Sequence, residues 1–150
     1  MFHAFAALAL CLTLLGCKAT GADFKPTAVS GGKGVIYVYR ADTSPLGSEA
    51  PTVSLDGKGI GSLKEAGYLS AVVPPGKHVV EVRTPLVQWF GGRKATVNVA
   101  AGSKHYFLVQ AKFDSAYYTP SGPGVSSSFH ITKVSAKTGR AQIAKTKASN

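Results

Sequence analysis

From Val35 onwards, short runs of alternating apolar and polar residues recur along the chain, separated by turn-forming residues. Residues 78–84 (HVVEVRT) place Val80 and Val82 on one side and Glu81 and Arg83 on the other. A period of two is typical of a strand with one buried face. Similar runs occupy residues 35–40, 51–55, 59–63, 67–73, 94–99, 105–113 and 127–134. About seven to eight strands at this spacing predict a single all-β domain, an antiparallel β-sandwich, over residues 34–135.

The last two runs carry large apolar side chains that we assign to the core. Phe107, Val109 and Phe113 fall on one face of the run 105–113, and Phe129 and Ile131 recur in the run 127–134. After these strands the period changes, and residues 136–150 predict a short basic helix or a tail. A glycine within this segment weakens a helix by ~1 kcal/mol relative to alanine.

An apolar run without charged residues opens the chain. Residues 1–16 read MFHAFAALALCLTLLG. The run is shorter than the ~20 apolar residues of a spanning helix and is typical of a signal peptide. Residues 14–17 (LLGC) then resemble the lipobox of bacterial lipoproteins. The resemblance implies cleavage before Cys17 and attachment of a diacylglyceryl group with palmitate-type chains to its sulfur, enough for stable anchoring. An ordinary secretory signal with a free Cys17 is the alternative.

A small, polar segment joins the signal peptide to the first strand. Residues 17–33 are rich in Gly, Ala and Lys and contain Pro26, which predicts a flexible tether that holds the domain off the membrane. Lys18 stands where inner-membrane lipoproteins of Gram-negative bacteria usually carry Asp. The resemblance to lipoproteins therefore implies an outer-membrane anchor, with the domain facing the periplasm.

The charge balance indicates the chemistry of a partner. Among 150 residues, 17 Lys and Arg against 7 Asp and Glu give a net charge of +10, which favours anionic partners. Because the signal peptide predicts export, we expect an anionic envelope polymer such as peptidoglycan or lipopolysaccharide, or an envelope protein, and not nucleic acid. A basic surface that serves solubility alone is the alternative.

Three turns carry a further resemblance. They are the hairpin DGKGIG at residues 56–61, the turn VPPGKH at residues 73–78 and the turn AGSKHY at residues 101–106. In this order behind a lipobox they resemble a domain-of-unknown-function family of short bacterial lipoproteins, similar to PEGA-type domains. The resemblance covers residues 34–113. It implies a small PEGA-like or transthyretin-like β-sandwich in the cell envelope, without an assigned chemistry.

Few residues are suited to catalysis. His78, His105 and His130 lie in separate predicted strands without the spacing of a metal-ligand pair. The seven carboxylates are scattered over turns, loops and one strand face, and no nucleophile motif lies on a suitable element. We therefore expect no enzyme, no catalytic residues, no metal and no cofactor.

Two predicted loops carry aromatic residues that we expect to be exposed. Residues 85–93 (PLVQWFGGR) contain Trp89 and Phe90, and residues 114–124 (DSAYYTPSGPG) contain Tyr117 and Tyr118. Such rings offer large contact areas at low entropy cost, so these four residues are candidate contacts for a ligand or partner. The alternative is that they cap the open ends of the sandwich.

Our leading hypothesis is a non-enzymatic envelope lipoprotein, a periplasm-facing binding or interaction module. One alternative is a component similar to the sandwich lipoprotein of type VI secretion systems. Another is a small envelope enzyme that acts on glycan or lipid.

Overall fold

A computed structural model describes residues 18–41, 49–84 and 92–149, which form two facing β-sheets and one short helix. The strands are β1 (Gly34–Arg40), β2 (Thr52–Leu55), β3 (Lys58–Ser62), β4 (Gly67–Val73), β5 (Gly76–Arg83), β6 (Arg93–Val99), β7 (Lys104–Thr119), β8 (Gly122–Val134) and β9 (Lys147–Ala148); the helix α1 spans Ala136–Ile143.

One sheet has the order β8-β7-β1-β4-β9 and the other β3-β2-β5-β6. The predicted all-β sandwich with a short C-terminal helix is therefore confirmed. One correction concerns strand direction, because β7 runs parallel to β1 and β9 runs parallel to β4. The short β6–β7 connection crosses from one sheet to the other at the end where β1 begins. Strand β7 therefore enters beside β1 in the same direction.

The main core lies between the two sheets and follows the period-two pattern. Strand β5 contributes Val80 and Val82, and strand β1 contributes Ile36 and Val38, all at most 2% exposed. Phe107, Val109 and Phe129 complete it, as predicted. These alternating residues account for the agreement between the sequence pattern and the sandwich.

A second apolar cluster covers the outer face of the five-stranded sheet, so every residue of β1 is buried. Tyr37 and Tyr39 point to this side, and Tyr37 stacks on Tyr106 with ring centroids 5.2 Å apart. Ile143 of α1 closes the cluster. The Tyr39 hydroxyl donates to Gln142 Oε1 at 2.5 Å, and burial raises the pKa of Tyr39 to about 12.

Helix α1 packs on β7 through its glycine. The Ser135 side chain accepts a hydrogen bond from the Thr138 amide, which caps the first turn. Gly139 is buried against Tyr106, and a Cβ at Gly139 would come within 2.8 Å of Tyr106 Cδ1 and closer still to two other atoms of that residue. The absence of a side chain therefore permits close helix–sheet contact.

Residues 18–33 differ from the flexible tether that composition predicts, because they lie against the domain. The Gly21 amide donates to the Ala148 carbonyl, and the Phe24 amide donates to the Thr146 carbonyl. The Phe24 ring makes edge contacts with Tyr37 and Tyr68 at 5.4 and 5.1 Å. Thr146 and Ala148 are more than 100 residues away, and Tyr37 and Tyr68 lie on two neighbouring strands of the sheet, so local composition gave no indication of these contacts.

Strands β7 and β8 extend far beyond the sandwich, where a loop was predicted over residues 114–124. Pairing of β7 with β1 ends at Val109, but pairing with β8 continues to Thr119 and Gly122. We call residues 110–119 and 122–130 the ribbon, since they are two strands wide in the described part of the chain.

The sandwich has two ends with different contents. At one end lie the turns before β1, between β2 and β3, between β4 and β5, and between β6 and β7; we call it the turn end. At the other end β1 stops at Arg40, β4 begins at Gly67 and the ribbon departs; we call it the ribbon end. A seven-residue strand separates the two ends by about 20 Å.

Candidate binding surfaces

Tyr117 and Tyr118, both predicted contact residues, lie near the tip of the ribbon and are 48% and 89% exposed. Sequence reasoning missed a third aromatic residue here. Phe113 was assigned to the core, but it is 59% exposed and lies four residues beyond the last pairing of β7 with β1. The prediction for Phe113 was therefore wrong.

A β-bulge determines which of these rings share a face. Phe113 pairs with residue 127 and Ser115 with residue 126, so Asp114 is an extra residue on β7. Side chains of paired residues lie on the same face. Consequently Phe113, Ala116 and Tyr118 lie on the face that continues from the main core.

The opposite face of the ribbon is polar. Ser115 and Ser126 share a hydrogen bond of 2.8 Å between their hydroxyls, and the Ser128 hydroxyl donates to Asp114 at 2.9 Å. Tyr117 lies on this face and covers Gly124, whose Cβ position is 2.7 Å from the ring. The ribbon is thus amphipathic, with one aromatic face and one face of hydroxyl groups.

Trp89 and Phe90, the other two predicted contact residues, lie outside the described residues. The residues that flank this segment are placed, since Val82 pairs with Arg93 in the last rung of β5 and β6. Both flanks belong to the ribbon end.

Cys17, the predicted lipid attachment residue, also lies outside the described residues. Its neighbour Lys18 forms a bridge with Glu65, and the Ala19 amide donates to the Glu65 carbonyl at 2.8 Å. Glu65 precedes β4, whose first residue lies at the ribbon end. The residue that follows Cys17 is therefore held at the ribbon end.

The turn end collects positive charge. Four exposed lysines lie in its four turns, or on the first two residues of the strands that follow: Lys33, Lys58, Lys77 and Lys104. Among the carboxylates that the structure describes, Asp56 alone lies in these turns. The sequence alone does not group these lysines, because their convergence depends on sheet pairing.

A histidine–carboxylate pair organises the β2–β3 turn. His78 Nδ1 lies 2.7 Å from Asp56 Oδ2, and its Nε2 lies 2.8 Å from the Pro74 carbonyl. Both partners accept hydrogen bonds, so only the protonated ring donates to both. The hydrogen bond to Asp56 raises the pKa of His78, and the same bond holds the pKa of Asp56 below its ordinary value.

Two other ionisable residues of the sheets, His105 and Glu81, have lowered pKa values. Burial and the nearby charge of Lys133 lower the pKa of His105, whose Nε2 lies 2.9 Å from the Ser103 hydroxyl. Glu81, predicted to lie on a polar face, is only 7% exposed. Arg83 Nε donates to its carboxylate at 2.8 Å and holds its pKa low. Glu81 is thus a structural ion-pair partner.

In residues 18–41, 49–84 and 92–149, no three His, Cys, Asp or Glu side chains come together as metal ligands. Within those same ranges, no helix has the length and apolar character needed to cross a membrane.

Fold and surfaces define a two-sheet β-sandwich with a basic end and an amphipathic ribbon. Comparison with family profiles matches residues 30–122 to the protein-of-unknown-function family DUF2846. The chain belongs to this family. The matched range runs from the turn before β1 to the tip of the ribbon. No curated protein matches the chain.

Proposed function

We propose that this protein is a non-enzymatic envelope lipoprotein whose turn end binds an anionic wall polymer, peptidoglycan. The observation that carries the proposal is the segregation of Lys33, Lys58, Lys77 and Lys104 at one end of the sandwich. Lys18, which follows the proposed anchor residue, and the ribbon belong to the other end.

The turns that resemble PEGA-type domains support this proposal. Residues 56–61, 73–78 and 101–106 each supply one lysine to the turn end. Short turns between paired strands hold these amines in place, so less ordering entropy is lost on binding than with a flexible basic tail. Peptidoglycan offers repeated carboxylates, which match a cluster of amines by charge.

The separation of the ribbon end from the turn end supports a lipoprotein whose turn end is directed into the periplasm. With lipid on Cys17, the ribbon end faces the membrane, and the lysines lie about 20 Å away, the length of one seven-residue strand. Lys18 in place of Asp supports an outer-membrane anchor. A domain arranged in this way links the membrane to the wall.

Lipid attachment is tested by intact mass spectrometry of protein extracted from membranes. We expect the natural chain to lack residues 1–16 and to carry the mass of a diacylglyceryl group. Cys17→Ser should abolish both changes. A water-soluble, unacylated natural chain that keeps residues 1–16 would contradict the lipoprotein proposal.

Wall binding is tested by co-sedimentation with purified peptidoglycan sacculi, using the mature chain with Cys17→Ser to keep it in solution. In the test variant all turn-end lysines are changed to Gln: Lys33, Lys58, Lys77 and Lys104. Each lysine near an anionic surface contributes about 1 kcal/mol, so the loss is up to roughly a thousandfold in affinity.

The matched control removes four charges outside the turn end, through Gln at Lys25, Lys94, Lys112 and Lys145. We expect the control to retain sacculus binding to within about threefold, and wild-type binding to weaken as salt is raised. Equal losses in the two quadruple variants would mean that net charge alone drives binding. A parallel arm with lipopolysaccharide distinguishes phosphate from carboxylate recognition, and preference for lipopolysaccharide would overturn the choice of peptidoglycan.

A further inference from the structure

Lys18, the first residue that the structure describes, indicates where a lipid on Cys17 would lie relative to the domain. Lys18 is bridged to Glu65, and Ala19 is 4% exposed beneath the chain around Gly67. Consecutive Cα atoms are about 3.8 Å apart. A lipid on Cys17, as proposed above, therefore lies at the ribbon end and not at the end of a long tether.

The ribbon leaves the sandwich at this same end with the composition of an interfacial element. Phe113 and Tyr118 are largely exposed on one face, and serine hydroxyls line the other. Tyr and other amphipathic aromatic side chains concentrate at the membrane–water interface, where the ring is apolar and the hydroxyl stays hydrated. An isolated two-stranded ribbon is marginally stable in water, so a covering surface also stabilises it.

The length and the polar face of the ribbon indicate whether it inserts into a bilayer or lies along its surface. Residues 110–119 extend about 30 Å beyond the last pairing with β1, similar to the thickness of the hydrocarbon core. A ribbon inserted end-on would bring open backbone edges and serine hydroxyls into lipid, which is strongly unfavourable. A ribbon that lies flat exposes only its aromatic face to the acyl boundary.

We infer that the ribbon is a second membrane contact, lying along the bilayer surface with Phe113 and Tyr118 against lipid. The inference rests on lipid attachment at Cys17, which brings the ribbon end to the membrane. Together the acylated cysteine and the ribbon fix the tilt of the sandwich, so that the turn end projects away from the bilayer.

The test uses the lipidated full-length mature protein in vesicles of phosphatidylethanolamine and phosphatidylglycerol. Cys11 leaves with the signal peptide and the Cys17 sulfur is acylated, so an introduced cysteine is the free thiol of the mature chain. An environment-sensitive nitrobenzoxadiazole label is placed at Ala116→Cys on the aromatic face. The matched control carries it at Lys58→Cys on the turn end.

We expect blue-shifted emission and at least threefold stronger quenching by lipid-borne quenchers at residue 116 than at residue 58. Intact mass on the same sample separates the two ideas: an unacylated chain contradicts the lipoprotein proposal. An acylated chain with water-like emission at residue 116 overturns the ribbon inference alone. Blue-shifted emission that appears only after an envelope protein extract is added also overturns it, in favour of a protein partner.

A second measurement avoids any label. In the unlipidated chain with Cys17→Ser, changing both Phe113 and Tyr118 to Ser should weaken sedimentation with these vesicles at least tenfold. Tyr117→Ser, on the polar face, should change it less than twofold. Equal effects of the two variants would overturn the assignment of the lipid-facing side.

Discussion

Replacing Gly139 with Ala sets helix propensity against packing, and the structure indicates which effect is larger. Alanine at the centre of an exposed helix is favoured over glycine by ~1 kcal/mol. At Gly139, however, the added Cβ would come within 2.8 Å of Tyr106 Cδ1 and nearer to two other atoms of that residue. Ordinary contacts of this kind are about 3.5–4.0 Å. Helix α1 would have to move outward by about 1 Å.

Tyr106 has no room to retreat. It is 3% exposed, stacks on Tyr37, and lies in β7 between β1 and β8. Overpacking of such a site costs 1–3 kcal/mol, which exceeds or cancels the propensity gain. We therefore expect Gly139→Ala to lower the free energy of unfolding by up to about 2 kcal/mol.

The assay is urea unfolding of the mature chain with Cys17→Ser, followed by circular dichroism. Ala141→Gly, at an exposed position of the same helix, measures the propensity difference without the contact and should cost about 1 kcal/mol. If Gly139→Ala raised the free energy of unfolding by as much as Ala141→Gly lowers it, the close packing of α1 on Tyr106 would be refuted.

Two further predictions follow from contacts described above. The charged His78–Asp56 pair contributes fully between the ordinary pKa values of about 3.8 and 6.5. Its contribution falls as pH rises through the raised pKa of His78 or drops through the lowered pKa of Asp56. An NMR titration of the His78 ring checks this, and an unchanged midpoint in Asp56→Asn would contradict the pairing. Phe24→Ala should lower the free energy of unfolding in urea by about 2 kcal/mol, because the ring contacts Tyr37 and Tyr68. Thr20→Ala, at an exposed position of the same segment, should leave it unchanged. Equal effects of the two variants would show that residues 18–33 do not pack against the domain.

Period-two patterning was sufficient for the sandwich but not for the ribbon. Val80 and Val82 alternate with polar neighbours, and each lies in the core as predicted. Phe113 continues the same alternation, yet it is exposed on the part of β7 that extends past β1. Burial at that position depends on how far the other strands of the two sheets extend, which no local pattern encodes.

The candidate surfaces were predictable in kind and not in arrangement. Exposure of Tyr117 and Tyr118 followed from their place among Pro, Gly and Ser. Consecutive side chains of a strand lie on opposite faces, and the bulge at Asp114 makes Tyr118, instead of Tyr117, share the face of Phe113. The lysines of the turn end were visible as separate residues, but their grouping requires the sheet order.

The contacts between the segment that follows Cys17 and strand β9 impose an order on biogenesis. Asp23 pairs with Lys147, and Gly21 and Ala22 exchange backbone hydrogen bonds with Ala148. These rungs form only after residue 148 has been synthesised. Residues 18–24 therefore stay undocked while the strands between them are made, and they pair with β9 afterwards.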